Sequence, residues 1–355
     1  MSEDSDSAVA SVQEQVRKAG RDGETLCITG GGTKRFLGRK PHGTSCDVRS
    51  LEGVVRYEPT ELVVSVRVGT TLKDLQDTLS SSGQMLPFEP PSFGEAATIG
   101  GTIACGLSGP SRPYRGSARD FVLGIRCING KGEALRFGGE VMKNVAGYDV
   151  SRLMTGSMGT LGILTEVSLK VLPLPACVET RSYEMSSAEA LDMMTGLFSR
   201  AVPVSASAWD DGYLRVRLSG SEAAVKAASS ELGGDVDEQG NTFWGALKEQ
   251  QLDFFSEEAT LWRVNVKPQG RLLSLPGKSI IDWGGARYWI KADTDLKEMT
   301  DLVRPFGGYV TGFRSANRDE DFSGPEGSVL QLNRQLKKAF DPAGILNPGR
   351  LFAHD

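Results

Sequence analysis

Two glycine-rich segments constrain this chain more than any other feature. The first, Ile28-Thr29-Gly30-Gly31-Gly32-Thr33-Lys34, follows directly on the short apolar run Leu26-Cys27-Ile28. The second is Pro90-Pro91-Ser92-Phe93-Gly94-Glu95-Ala96-Ala97-Thr98-Ile99-Gly100-Gly101-Thr102-Ile103-Ala104, with Gly106-Leu107-Ser108-Gly109 behind it. A stretch poor in side chains lets backbone N–H groups come close to something bulky and anionic. Two such stretches on one chain suggest a dinucleotide held along its length. Neither is a GxGxxG fingerprint, and the spacing to Lys34 is wrong for a Walker A loop. In the second, the hydroxyls of Thr98, Thr102 and Ser108 alternate with glycines and could serve phosphate and ribitol oxygens, while Pro91 could shape the loop.

A chain of 355 residues has room for two domains. Its net charge of −5 and scattered basic residues exclude a general nucleic-acid binder. No apolar run reaches the roughly 18 residues of a membrane span. The acidic, serine-rich start does not read as a secretory signal, so a cytoplasmic protein is expected. The cysteines Cys27, Cys46, Cys105, Cys127 and Cys177 are dispersed, without CxxC, which excludes ordinary iron–sulfur and zinc-ribbon spacings. Reduced, mostly buried thiols are expected. The only histidines are His42 and His354, too few for a histidine relay or a multi-histidine metal site.

Along the chain, the pattern predicts helices at 8–20 and 72–80, and strands at 26–28, 54–57, 62–68, 121–129, 134–137 and 162–172. Residues 90–109 read as a loop region, and Val150 to Thr155 as helical. Pro173 and Pro175 mark a boundary. Beyond it, strands at 180–183, 205–209, 213–218, 261–266, near 280, 288–291 and 308–314 intersperse with helices at 188–198, 222–232, 243–255 and 296–306. This predicts β-α-β units with helices on one face of an antiparallel sheet. A loose loop is expected at 315–327 and a helix at 329–340.

A third chemistry-bearing region comprises Lys143-Asn144-Val145-Ala146-Gly147-Tyr148-Asp149 and Gly159-Thr160-Leu161-Gly162-Ile163-Leu164-Thr165. Gly159 and Gly162 would let a strand start beside a flat ring. These segments, with the Gly-Gly-Gly-Thr-Lys loop, the Ala-Thr-Ile-Gly-Gly-Thr segment and the closing Asp341-Pro342-Ala343-Gly344-Ile345-Leu346-Asn347-Pro348-Gly349-Arg350, together resemble the FAD-binding proteins of the vanillyl-alcohol-oxidase (PCMH-type) family. The resemblance covers residues 25–175 and 340–352; the middle matches weakly. It implies an α+β fold in three parts. A PCMH-type FAD-binding domain of two α+β subdomains would span 1–175. An α/β cap domain with an antiparallel sheet would span 176–325, and a C-terminal segment, 326–355, would return to the FAD domain. It also implies that Thr29, Gly30, Gly31, Gly32, Thr33 and Lys34 hold the pyrophosphate. Pro91, Thr98, Gly100, Gly101, Thr102, Ser108, Gly109, Gly162 and Ile163 would lie along the rest of FAD.

The departures from that pattern are informative. Family members often tether FAD through a histidine in or beside the first loop; here Thr33-Lys34 follow Gly32, so non-covalent FAD is expected. The histidine-rich metal motif of related 2-hydroxy-acid dehydrogenases is missing, and Met158 stands where they place an acidic residue. The resemblance therefore implies an FAD-binding subunit of an assembly that oxidises glycolate to glyoxylate. Its partners would be a larger flavin subunit and an iron–sulfur subunit, with peripheral attachment at the inner membrane through that assembly. Substrate oxidation could fall mainly to the larger subunit. Two alternatives stay open. One is a self-sufficient FAD dehydrogenase of another hydroxy acid or alcohol, with Tyr148 or a cap residue as base and Arg112, Arg115 or Arg287 as carboxylate anchor. The other is a non-catalytic structural subunit.

Overall fold

The computed structural model describes residues 3–139, 149–256, 258–268, 270 and 272–351. The chain divides into two compact units, one of residues 1–107, 117–174 and 324–355, the other of residues 108–116 and 175–323.

The first unit begins with the helix Glu3–Asp22, which buries Val12, Val16 and Ala19, one stripe at helical spacing. The strand Leu26–Thr29 follows and pairs in parallel with Thr44–Asp47. Five antiparallel strands make the larger sheet, in the order Val54–Glu58, Val63–Arg67, Ile163–Lys170, Val122–Ile128, Ala134–Gly138. Val63–Arg67 is buried along its whole length, as expected of a β-branched strand away from the sheet edge. The helix Leu72–Ser80 starts where the Thr71 hydroxyl accepts the Asp74 N–H, and it turns Leu72, Leu75 and Leu79 inward. A single apolar core runs from Val16 and Cys46 to Val64, Ile125 and Val167, so both sheets share one interior.

The end of the chain returns to the start of this unit. After the helix Gly327–Phe340, the Leu26 N–H donates to the Ile345 carbonyl (2.7 Å) and the Asn347 N–H to the Leu26 carbonyl (2.9 Å). The buried pair Lys337–Asp341 (2.8 Å) fixes the turn. The Lys337 ammonium also donates to the carbonyls of Thr160 and Leu346, and Asp341 accepts the N–H groups of Ile345 and Leu346.

The second unit is built on an eight-stranded antiparallel sheet, with Val204–Asp210, Lys278–Asp282 and Arg287–Lys291 near its middle. Its apolar core takes Met194, Val225 and Met299 from the helices Ser187–Leu197, Glu222–Leu232 and Leu296–Val303. Residues 108–116 are held here because the Trp283 indole donates to the Gly109 carbonyl (2.9 Å) and Tyr114 bonds Ser207 (2.8 Å).

Three expectations change. Residues 90–109 are not all loop: Ile99–Cys105 is a helix capped by Thr98, its two glycines having hidden the helical pattern. The helix expected at 243–255 is Gly240–Glu249, ended by Gln250 in the left-handed region, and Asp253–Ser256 is a separate turn of 3₁₀ helix. Within 315–327, Arg318–Asp321 forms one helical turn.

Candidate functional site

A cleft enclosing about 870 Å³ of empty space, its open mouth included, lies in the first unit. Most of its wall comes from four segments: Cys27 to Arg35, the capped helix (Thr98, Gly100, Gly101, Ala104, Cys105), the turn with Met158, Gly159 and Gly162, and the tail residues Asn347 and Arg350.

The parallel strand Leu26–Thr29 delivers the triple glycine to one end of this cleft. Among the hydrogen bonds of the described residues, none is donated by the N–H of Gly30, Gly31, Gly32 or Thr33. Consecutive N–H groups without an acceptor form an anion nest. The glycines also have a packing reason. A Cβ on Gly31 would stand 1.4 Å from the Ala96 carbonyl oxygen, and one on Gly30 would stand 2.5 Å from Thr98 Oγ1. The two glycine-rich segments therefore touch, and only glycine permits it. Thr33 Oγ1 and Lys34 Nζ lock the contact by donating to the Ser92 carbonyl at 2.7 and 3.1 Å. Lys34 is 6% exposed, so its charge reaches the cleft from a side chain already engaged by the second segment.

In the second segment the N–H groups of Ile99, Gly100 and Gly101 are all taken, by Thr70 O, Val68 O and Thr98 Oγ1. The segment meets the cleft through shape instead. A Cβ on Gly101 would find Thr98 Oγ1 at 3.3 Å and no other heavy atom within 4 Å apart from its neighbours and its own helix backbone, so it would project into the open cleft.

Of the residues singled out in the sequence, Thr29, Gly30, Gly31, Gly32, Thr33, Lys34, Thr98, Gly100, Gly101 and Gly162 line the cleft together. Thr102 is fully buried and donates to the Thr98 carbonyl. Ile163 lies in the core, and Pro91 is buried outside the lining. Ser108 and Gly109 belong to the second unit. Gly159, expected with Gly162 beside a flat ring, lines the cleft too, and so do Asn347 and Arg350, to which sequence reasoning gave no site role. Asn347 accepts the Ile28 N–H (2.8 Å) and donates to the Met158 carbonyl (2.6 Å), joining three of the four wall segments. Its signal was the closing Ile-Leu-Asn-Pro-Gly-Arg motif, which carried a resemblance but no stated job.

Cys27 and Cys105 also line the cleft, and all five cysteines are free thiols. Burial pushes the Cys105 thiol above its ordinary range, against the pull of Lys34 and Arg350. Burial raises Cys46 to about 11 and Cys127 to about 12. His42 is exposed and absent from the lining. Among the described residues no cluster of His, Cys, Asp or Glu could hold a metal ion, and no helix is long and apolar enough to cross a membrane.

The candidate arginines all sit in the second unit with partners. Arg287 grips the buried Asp282 with Nε (2.7 Å) and a second nitrogen, its guanidinium 3.7 Å from the centre of the Trp283 ring. Arg112 lies 4.4 Å from that same ring centre, and Arg115 donates to Ser219 Oγ (2.6 Å). Tyr148, with Lys143 and Asn144, lies outside the described residues.

A glycine nest beside a cleft whose wall the chain's last residues help to form is the geometry of a site for a large anionic ligand. Residues 7–138 match the model of an FAD binding domain, and residues 295–351 that of the C-terminal domain of FAD linked oxidases. The chain belongs to this family of FAD-linked oxidoreductases. It is 48% identical to the glycolate oxidase subunit GlcE of Escherichia coli K12, covering 96% of each chain. It is 25% identical to the glycolate oxidase subunit GlcD of Bacillus subtilis, over 86% of this chain and 79% of that one. With the D-lactate dehydrogenase of Archaeoglobus fulgidus it shares 26% identity over 80% and 75%. Among solved structures, alkyldihydroxyacetonephosphate synthase has the same fold, at TM-score 0.66 and 18% identity, over 95% of this chain and 74% of that one. The residues present suit FAD: unpartnered N–H groups for the pyrophosphate, and a cleft wall that a single methyl at residue 101 would invade.

Proposed function

We propose that this chain is the FAD-carrying subunit of an assembly that oxidises glycolate to glyoxylate. The observation that carries this reading is 48% identity to a glycolate oxidase subunit across 96% of both chains. When bound, FAD accepts two electrons from an alcohol carbon and passes them on singly. The chain's residues bind and orient it. Gly30 to Thr33 offer their N–H groups to the pyrophosphate, Thr29 and Thr98 offer hydroxyls, and Gly101 and Gly162 keep the wall low. Lys34 adds positive charge while holding the two glycine segments together. Thr102, Ile163 and Pro91 support the wall from behind.

FAD is held without a covalent bond, because no histidine stands in the first loop and His42 is exposed outside the lining. Residues 1–175 with 326–355 form the FAD domain, and residues 176–325 the cap. The partners are a larger flavin subunit and an iron–sulfur subunit, which supplies the cluster this chain's dispersed cysteines cannot hold. The assembly is cytoplasmic or peripheral at the inner membrane.

The test starts with the purified chain and its visible spectrum, followed by anaerobic glycolate. A yellow protein that releases FAD on acid precipitation, and bleaches only once the larger subunit is added, is the expected result. A colourless chain that takes up no FAD overturns the reading. Bleaching by the chain alone would instead make it self-sufficient.

A further inference from the structure

The chain carries a net charge of −5 and FAD is a dianion at neutral pH, so the field of the whole protein repels the cofactor. One stretch of the first unit has the opposite sign. No Asp or Glu stands between Glu24 and Asp47, while Lys34, Arg35, Arg39 and Lys40 all do. Among the described residues that line the cleft, the charged ones are Lys34, Arg35 and Arg350, all cations. Lys34 and Arg350 are buried, at 6% and 7% exposure. Both are engaged within the wall, Lys34 on the Ser92 carbonyl and Arg350 on the carbonyls of Arg35 and Arg39. Arg35 and Lys40, by contrast, are exposed, and Arg39 is half-buried. The stretch leaves the cleft wall at Arg35 and returns to it at Pro41. The tail holds it there: the Arg39 N–H donates to the Arg350 carbonyl (3.2 Å), and a Cβ on Gly38 would stand 3.3 Å from that same oxygen. The Arg35 guanidinium reaches inward to 3.9 Å from Sγ of Cys27, a wall residue. The one carboxylate in either glycine segment is Glu95, exposed beside Ala96.

An exposed charge at the edge of a site changes the rate of association and its salt dependence, whereas a desolvated contact changes the rate of release. We propose that Arg35, Arg39 and Lys40 form a basic rim that captures FAD by its diphosphate and delivers it to the glycine nest. Arg39 and Lys40 act at long range, through the field they set up at the cleft. Arg35, which reaches the wall, passes the diphosphate on to the N–H groups of Gly30 to Thr33. The rim makes uptake fast in a chain whose net charge opposes it, and it does not hold the bound cofactor. Glu95 opposes the rim and limits its strength. This inference rests on the FAD reading given above and goes beyond it, by separating the residues that admit the cofactor from those that keep it.

The experiment mixes the full chain, stripped of flavin, with FAD in a stopped-flow fluorimeter and follows the flavin emission. Association and release are timed from about 20 mM to about 500 mM salt, over which the screening length falls from about 20 Å to about 4 Å. The variants are Lys40→Glu and the double change Arg39→Gln with Lys40→Gln. Wild-type association should slow about tenfold across that range, the lower end of what steering supplies. At low salt each variant should associate about three- to tenfold more slowly than wild type, and its rate should depend less on salt. Each should release FAD within about twofold of the wild-type rate. Glu95→Gln should load faster than wild type. Wild-type association indifferent to salt overturns the proposal. So does a variant that loads at the wild-type rate, or one whose whole defect is faster release, the mark of a holding contact. If the double variant fails to fold, Lys40→Glu decides, since that side chain is exposed. A chain that takes up no FAD at any salt overturns the FAD reading as well, whereas uptake that ignores salt overturns the rim alone.

Discussion

Replacing Gly101 by alanine sets two consequences of the structure against each other. The residue sits inside the helix Ile99–Cys105 with a helical backbone, so alanine should hold that helix better by about 0.5–1 kcal/mol. The new methyl meets only Thr98 Oγ1, at 3.3 Å, a contact the hydroxyl relieves by a small rotation. For a unit of this size each kcal/mol moves the melting temperature by roughly 2–4 °C. The apoprotein should therefore melt about 1–4 °C higher. The same methyl occupies cleft space beside the glycine nest, and displacing FAD from contact there should weaken its binding at least tenfold, about 1.4 kcal/mol. The assay is a flavin fluorescence titration of apoprotein alongside a thermal scan. Gly31→Ala is the control: its methyl would overlap the Ala96 carbonyl, so stability and flavin binding should fall together. A Gly101→Ala protein that binds FAD as tightly as wild type would refute the assignment of this wall to the cofactor. One that melts well below wild type would refute the packing argument.

Asn347→Ala removes the acceptor for Ile28 and the donor to Met158, and places alanine at a positive φ of 42°. The loss should be about 2–4 kcal/mol of unfolding free energy by denaturant titration, with lower FAD occupancy. Lys337→Met leaves Asp341 buried without its cation and should cost about 3–5 kcal/mol by the same titration. Thiols give a pH dependence: Cys46 and Cys127 titrate near 11 and 12 when folded and near 9 when unfolded. Above pH 9 the unfolded chain binds fewer protons, so their stabilisation is full below pH 9 and declines through 11 and 12. A denaturant series from pH 8 to 11 should show that decline, and at pH 8 both thiols should resist a thiol reagent until the protein is unfolded.

Much of the scaffold was legible because its residues obey simple periodicities. Val63–Arg67 and Ile163–Lys170 are β-branched runs, and Leu72, Leu75 and Leu79 repeat at helical spacing. Thr44–Asp47 was missed: it is four residues long, mostly exposed, and made a strand only by its partner. Ile99–Cys105 was missed because Gly100 and Gly101 depress helix propensity, and Thr98 supplies the cap that overrides it. The site was half legible. Glycine runs mark where a backbone must approach something closely, but not whether that is a ligand or the chain itself. Gly31 turned out to serve the contact with Ala96, and Gly101 the open cleft. Arg39 and Lys40 read as one more short group of surface charge, and only the contact with Arg350 sets them at the cleft.

The pairing of Asn347 with Ile28 spans 319 positions of sequence. At bacterial or eukaryotic translation speeds of about 5–20 residues per second, the first glycine loop emerges roughly 15–60 s before the residues that complete its strand. Until then the strand that delivers the nest is paired on one side only, with Thr44–Asp47, and nothing yet ties it to the turn at Met158. A chain that stops short of Asn347 should therefore hold flavin less well than the full one, and be paler for it.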